Sequence, residues 1–247
     1  MEKKVALVTG GSKGIGLEAV LRFCSLDYHV ITCARCPDTW DATVDKHPIL
    51  QDVDFQIVDL AQSEQLEKLF ETIQKTHKRL DVAVNNASPK LRSKGPITDV
   101  PTAYLHETLV HDLWVHVLCM KLELPLMKKG GAIVNVSSVN GIRPTPYAAM
   151  YSAAKHGLEG LTRSVALEAI PNGIRVNAVA PGATWTPRWE ERKKEHPEIR
   201  EDVEKLVPIG RFASPAEVVN AIEWLCSEKA SYIVGQTLVV DGGISLK

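Results

Sequence analysis

The chain has 247 residues, 24% of them charged and 45% apolar, with a formal net charge of −1. That balance is ordinary for a globular domain and excludes the global basic field that gathers nucleic acid. The 5 cysteines, odd in number and scattered, argue against a disulfide framework and for a reducing compartment.

The chain opens MEKKVALVTGG, whose apolar stretch from Val5 to Thr9 is too short for a signal-peptide core. No run approaches the roughly 20 apolar residues of a membrane span, so a soluble cytoplasmic protein is expected. Short runs rich in valine and isoleucine then alternate with longer amphipathic ones. KVALVT, HVITCA, VDFQIV, DVAVNN, GAIVNVSS, IRVNAVAP and QTLVVDGG read as strands bounded by turn residues. Several are apolar without alternation, as strands covered on both faces are. Between them, Leu17–Leu26, Ser63–Lys75, Leu113–Met127, Ser152–Ala169 and Pro215–Cys226 carry helical apolar spacing. Ser214 before Pro215 reads as an N-cap with proline at the first helical position. Repeated β-α-β units predict a doubly wound, mostly parallel seven-stranded α/β sheet with helices on both faces. No linker or repeat divides the chain, so residues 1–247 are expected to form one domain. Cys33 and Cys36 make a CxxC with no second pair, read as a strand end; no metal site is expected. One long charged segment, 183–208, breaks the rhythm. It reads either as a solvated helix pair or as a flap over a site.

Three constellations carry chemistry. Gly10, Gly14 and Gly16 follow the first strand with GxxxGxG spacing. Glycines there allow a tight turn and let backbone N–H groups approach phosphate at the start of the next helix. Asn85 and Asn86 end the fourth strand. If that strand neighbours the first, their amides can tie its end to the glycine loop. Tyr151 and Lys155 stand four apart and share one helix face. A nearby cation favours the phenolate and lowers a phenol's pKa toward the range useful for proton transfer. Tyr147 is eight residues before Lys155, behind Pro144 and Pro146, and is the weaker candidate. Ser138 ends the fifth strand, where its hydroxyl can hold a substrate oxygen. Ile142, Tyr147 and the Trp185–Trp189 stretch are expected to shape a partly hydrophobic pocket.

With TGGSKGIG from Thr9, NNA from Asn85, Ser138, YSAAK from Tyr151, PG at Pro181 and DGG near the end, the chain resembles a short-chain dehydrogenase/reductase along nearly its whole length. The resemblance implies a Rossmann-like oxidoreductase that moves hydride between a nicotinamide cofactor and a carbonyl or alcohol carbon. Gly10, Ser12, Lys13, Gly14, Ile15 and Gly16 would carry the pyrophosphate, and Asp59 and Leu60 the adenine. Asn86 and Ala87 are expected to contact the cofactor, with Pro181, Gly182, Thr184 and Thr186 beside the nicotinamide. Tyr151 would be the acid/base group. Lys155 would lower its pKa and hold the ribose, and Ser138 would orient the substrate oxygen. Two positions depart from the family pattern. Ser88 stands where NNAG has glycine, and Asp112 stands where the family has a catalytic asparagine, which puts the proton relay behind Lys155 in question. Asp112 also supports a second class of function, a cofactor-binding sensor or scaffold with little turnover; a methyltransferase would not need Tyr151 and Lys155. NADP(H) is expected over NAD(H), which stays open. Ala34 occupies the position of the acid that NAD-preferring relatives use, and Arg35 and Lys13 suit a 2′-phosphate, unless Asp38 or Asp41 pairs with Arg35. A homotetramer is the family expectation. A small-molecule carbonyl or alcohol is the expected partner, and acyl chains, steroids, cyclic ketones and sugars all remain open.

Overall fold

The computed structural model describes residues 3–247. β1 (Val5–Thr9), β2 (His29–Ala34), β3 (Asp54–Ile57), β4 (Leu80–Asn85), β5 (Met127–Val136), β6 (Arg175–Pro181) and β7 (Thr237–Val240) pair parallel in the order β3-β2-β1-β4-β5-β6-β7. Side chains on a strand alternate between faces, so an all-apolar strand must feed two cores. In β1, Val5 and Leu7 enter one core while Ala6 and Val8 enter the other. The first core is closed by α3 (Ser63–Thr76), α5 (Val115–Glu123) and α6 (Ala149–Ala169). The second is closed by α1 (Gly14–Ser25), α2 (Pro37–Val44) and α9 (Pro215–Cys226), with Phe23, Trp40 and Ile222 buried in it.

The chain leaves β1 for β2 on one side and reaches β4 on the other. The strand ends part there, which places the ligand crevice at the carboxyl ends of β1 and β4. α9 begins as the sequence suggests. Ser214 Oγ accepts from the Glu217 N–H at 3.4 Å, Glu217 Oε2 accepts from the Ser214 N–H at 2.8 Å, and Pro215 fills the first position.

Two expected elements differ. The Leu113–Met127 helix is instead the end of a longer run: α4 (Thr102–Leu109), a wide π turn (Val110–Trp114), then α5, which stops at Glu123. Pro125 ends the helix, and Met127 already belongs to β5. That strand starts four residues before the expected Gly131, because Met127 pairs with Leu80 and a bulge carries Lys128–Gly130 outward before Ala132 pairs with Val82. The charged segment folds as two short helices, α7 (Pro187–Glu195) and α8 (Ile199–Leu206). Among the described residues no helix is long and apolar enough to cross a membrane.

Candidate active site

A cavity of about 460 Å³ opens at the switch point. Its wall at the β1 end is backbone. Gly10 and Gly14 hold φ of +71° and +61°, left-handed values that glycine adopts freely. At Gly16 a Cβ would meet the Gly10 carbonyl oxygen at 2.2 Å, so the helix start can press on the turn only without a side chain. Gly16 itself lies behind the cavity wall, and its contribution is this close packing. The first turn of α1 holds no acidic residue and Lys13 supplies no side-chain cap, so its N–H groups stay available to an anion. This cradle fits the phosphates of a dinucleotide.

Asn86 fastens the cradle to β4. Its Nδ2 donates to the carbonyls of Thr9 at 3.0 Å and Gly10 at 3.3 Å, while Thr9 Oγ1 accepts from the N–H groups of Asn86 and Ala87. Asn85 does not take part, contrary to the expectation for the pair. One residue earlier on the strand, it turns the other way, and its Nδ2 donates to Glu123 Oε2 at 3.0 Å and Asn135 Oδ1 at 3.1 Å in the core.

Ser12, Lys13, Gly14, Ile15, Ala34, Arg35, Asp59 and Leu60 line one end of the cavity. Lys13 and Arg35 are exposed, and neither makes an ion pair among the described residues; Asp38 and Asp41 leave Arg35 free. Asn86, Ala87, Pro181, Gly182, Thr184 and Thr186 line the middle. Thr186 caps α7 by position and stands against Gly14, so two helix starts meet there.

At the other end lie Ser138, Tyr151 and Lys155. Ser138 leaves β5 into a short turn, where its Oγ accepts from the Asn140 N–H at 3.1 Å. α6 presents Tyr151 and Lys155 one turn apart, and both line the cavity together with Ser138. The half-buried ring of Tyr151 carries its hydroxyl into the wall. Burial holds that phenol well above its ordinary range; Asp112 raises it further, and the charge of Arg188 opposes both. This corrects the expectation of a phenol lowered by Lys155: the cation that favours the phenolate is Arg188. Lys155 is buried, donates to the Val136 carbonyl at 3.1 Å and lies 3.6 Å from Asp112 Oδ1. Burial lowers its pKa while Asp112 raises it. Ile142 and Tyr147 stand off the cavity wall, and Tyr147 is 64% exposed. Of the two tryptophans only Trp189 reaches the cavity; both pack edge-on against Phe212.

Asp112 lies behind the cavity, not on it. The π turn carries it inward, a distortion that recurs at functional sites. Ser88 Oγ donates to Asp112 Oδ1 at 2.7 Å. The two departures from the family pattern therefore touch: a hydroxyl at the glycine position bonds the carboxylate at the asparagine position. One turn on, His116 is buried, and its ring is held neutral by burial and by the charge of Lys155.

Sequence reasoning missed Arg188. It projects from α7 across the crevice, and its Nη2 donates to the carbonyls of Ser88 at 2.8 Å and Pro89 at 2.9 Å. Its only signal was an arginine two residues after Thr186 in an otherwise charge-rich segment. His111 and Lys90 also line the cavity unannounced.

A phosphate cradle joined to a hydroxyl–phenol–ammonium group at one switch point defines a dinucleotide-dependent oxidoreductase of the doubly wound class. The family model described as enoyl-(acyl carrier protein) reductase matches residues 10–245. An uncharacterized oxidoreductase of Schizosaccharomyces pombe is 37% identical over 254 residues, covering 99% of this chain and 92% of that protein. Dehydrogenase/reductase SDR family member 4 of Homo sapiens is 34% identical over 253 residues, covering 98% and 88%. The solved structure of ElxO with NADP bound superposes at a TM-score of 0.92, with 31% identity across 100% of both chains. The chain belongs to the short-chain dehydrogenase/reductase family, as an oxidoreductase that acts on carbonyl or alcohol groups with a nicotinamide cofactor.

Proposed function

We propose that the protein interconverts a carbonyl and an alcohol with NADP(H), using Tyr151 as its acid/base group. The observation that carries this reading is the convergence of Ser138, Tyr151 and Lys155 on one cavity wall beside the glycine cradle, with Lys155 buried one turn from Tyr151. The nicotinamide, when bound, supplies or takes up the hydride. A phenol held above its ordinary range stays protonated at neutral pH, the state that gives a proton to a developing alkoxide. Ser138 donates to the same oxygen and fixes it beside the phenol. Lys155, anchored by the Val136 carbonyl and Asp112, keeps a positive charge behind the reacting oxygen and would hold the ribose of a bound cofactor. In oxidation Tyr151 must first lose its proton, which Arg188 favours and Asp112 resists.

Gly10, Ser12, Gly14 and Ile15 hold the pyrophosphate, with Gly16 shaping the turn behind them. Asp59 and Leu60 take the adenine. Asn86, Ala87, Pro181, Gly182, Thr184 and Thr186 take the nicotinamide end. Arg35 and Lys13 hold the 2′-phosphate; their lack of an ion pair among the described residues and the neutral Ala34 support that preference over NAD(H). The substrate is a small carbonyl or alcohol compound of ketone, 3-oxoacyl or sugar type. Residues 183–208 form a flap over it within a single 1–247 domain. The protein works in the cytoplasm, apart from nucleic acid and membrane.

The test is direct. Dissociation constants for NADPH and NADH are measured with the parent and Arg35→Ala. A charge-assisted hydrogen bond predicts a loss of about ten- to a hundredfold for NADPH and far less for NADH. Equal affinity in the parent, or equal loss in the variant, rejects the NADP(H) assignment. Nicotinamide absorbance over ketones, aldehydes, sugars and alcohols tests the chemistry, and tight cofactor binding without any turnover favours a sensor or scaffold.

A further inference from the structure

Arg188 is an unusual side chain for a cavity wall. It is half-buried, and among the described residues it makes no ion pair. Its Nη2 spends both hydrogens on the Ser88 and Pro89 carbonyls, which fixes the plane of the guanidinium. The Nε–H and the two Nη1–H donors stay unspent. It lines the same cavity as Ser138, Tyr151 and Lys155, and its charge reaches both Tyr151 and Lys155. A half-buried guanidinium with no counter-charge is costly unless a ligand supplies one.

The surroundings sharpen the sign. Lys90 and His111 line the same cavity. Arg192, one turn on in α7, lies over the Trp189 ring and near enough to Arg188 to feel its charge. Of the acids here, Glu191 is exposed on the rim, Glu195 faces Arg192, and Asp112 is already engaged by Ser88 and Lys155. None answers Arg188. One fixed guanidinium beside Pro89, Pro187 and Trp189 suits a small monoanion with an apolar body.

We propose that the substrate is an oxo acid, or in reverse the hydroxy acid, whose carboxylate sits on Arg188 while its carbonyl oxygen sits between Ser138 and Tyr151. This rests on the carbonyl–alcohol reading above and names its substrate class. In reduction the carbonyl π bond breaks. A C–H bond forms with hydride from the reduced cofactor, which is oxidised, and an O–H bond forms with the Tyr151 proton. The product is a hydroxy acid with its carboxylate unchanged.

The test pairs acids with their own esters. Pyruvate, acetoacetate and levulinate are compared with their methyl esters as substrates for the parent, Arg188→Met and Arg188→Lys, each confirmed as folded by its thermal melt. The parent is expected to prefer at least one acid over its ester by about ten- to a hundredfold in kcat/KM. That preference collapses toward parity in Arg188→Met through KM and returns in part in Arg188→Lys, which restores charge without the planar fork. Calorimetry with malonate and the NADP-loaded protein reads the same site without turnover: binding in the parent and none in Arg188→Met. A parent that reduces the esters as well as or better than the acids overturns the oxo-acid assignment and leaves the oxidoreductase reading intact. If no carbonyl is reduced at all, that broader reading falls, and the malonate titration still judges Arg188. Malonate that fails to bind the parent, that binds both proteins alike, or that is outcompeted by inorganic phosphate overturns the carboxylate site.

Discussion

Tyr151 and Tyr147 look alike in the chain and differ in space. Tyr151 lines the cavity with Ser138, whereas Tyr147 is exposed on a left-handed turn with φ of +63°. Tyr151→Phe is therefore expected to retain cofactor binding and to lose turnover by about a hundredfold or more, while Tyr147→Phe keeps its rate. The reverse result would reassign the acid. Because burial and Asp112 keep the phenol protonated, alcohol oxidation should rise with pH across the alkaline range while carbonyl reduction holds level at neutral pH. Asp112→Asn removes a negative charge that raises both Tyr151 and Lys155. The oxidation profile should then move to lower pH with activity equal or higher. Ser88 is bonded to that same carboxylate, so Ser88→Ala and Asp112→Asn should not add. A double-mutant cycle on the pH midpoint that proved additive would separate Ser88 from the relay. The grouping of Ser138, Tyr151 and Lys155 in one cavity was legible in the chain because four-residue helical spacing and a strand-end serine are local signals. The Ser88–Asp112 contact and the reach of Arg188 were not, since each joins segments brought together only by the closed sheet.

At the scale of elements, α5 hides a titrating group. Glu123 is fully buried; Oε2 accepts from Asn85, and Oε1 has no partner. Burial pushes its carboxyl up to about 7, with the Asn85 bond opposing, against an ordinary value of 4.5. A folded pKa above the unfolded one means that the native state binds the proton more tightly. The stabilisation is complete below the unfolded value and fades as pH rises through 7. The loss is on the order of 3 kcal/mol. Thermal melts from pH 5 to pH 8 should show the parent declining relative to Glu123→Gln, whose amide cannot ionise; parallel curves would place the burden elsewhere. The helix that carries Glu123 was also the least legible element. Its apolar rhythm runs on through Leu124, Leu126 and Met127, yet Pro125 stops the helix and the last of these begins β5. Upstream, Thr102–Leu109 is mixed in character, and the π turn shifts its periodicity by one residue, so the start was invisible. β1, β2, β4 and β6 were easy to read, because strands buried on both faces leave uninterrupted apolar runs.

Alternating strands and helices made a parallel, doubly wound sheet legible, and the observed order puts β4 beside β1, the neighbourhood on which the reading of the glycine loop depended. Assembly is not encoded in that way, and the surface has to be consulted. α6 packs Leu158, Thr162, Ala166 and Ala169 inward, yet Leu167 on its far side is 73% exposed, and Ile170 follows it. Leu109 and Trp114 flank the π turn on the outside. Near the end of the chain Tyr232 is 98% exposed, and Leu238, Val239 and Leu246 are also uncovered. Large apolar side chains gathered on two faces are costly in water and mark surfaces that another subunit covers. We propose that they are two dyad interfaces, one across the π turn and α6 and one across β7, and that together they close a tetramer with no open end. Light scattering at micromolar concentration should return four times the chain mass. Trp114→Glu with Leu167→Glu should cut that mass in half, since a charge on each subunit meets its own copy at an isologous interface. Leu238→Asp with Leu246→Asp should do the same through the second interface. A monomer mass for the parent would reject the assembly, and a tetramer that survives both pairs of changes would place its contacts on other faces.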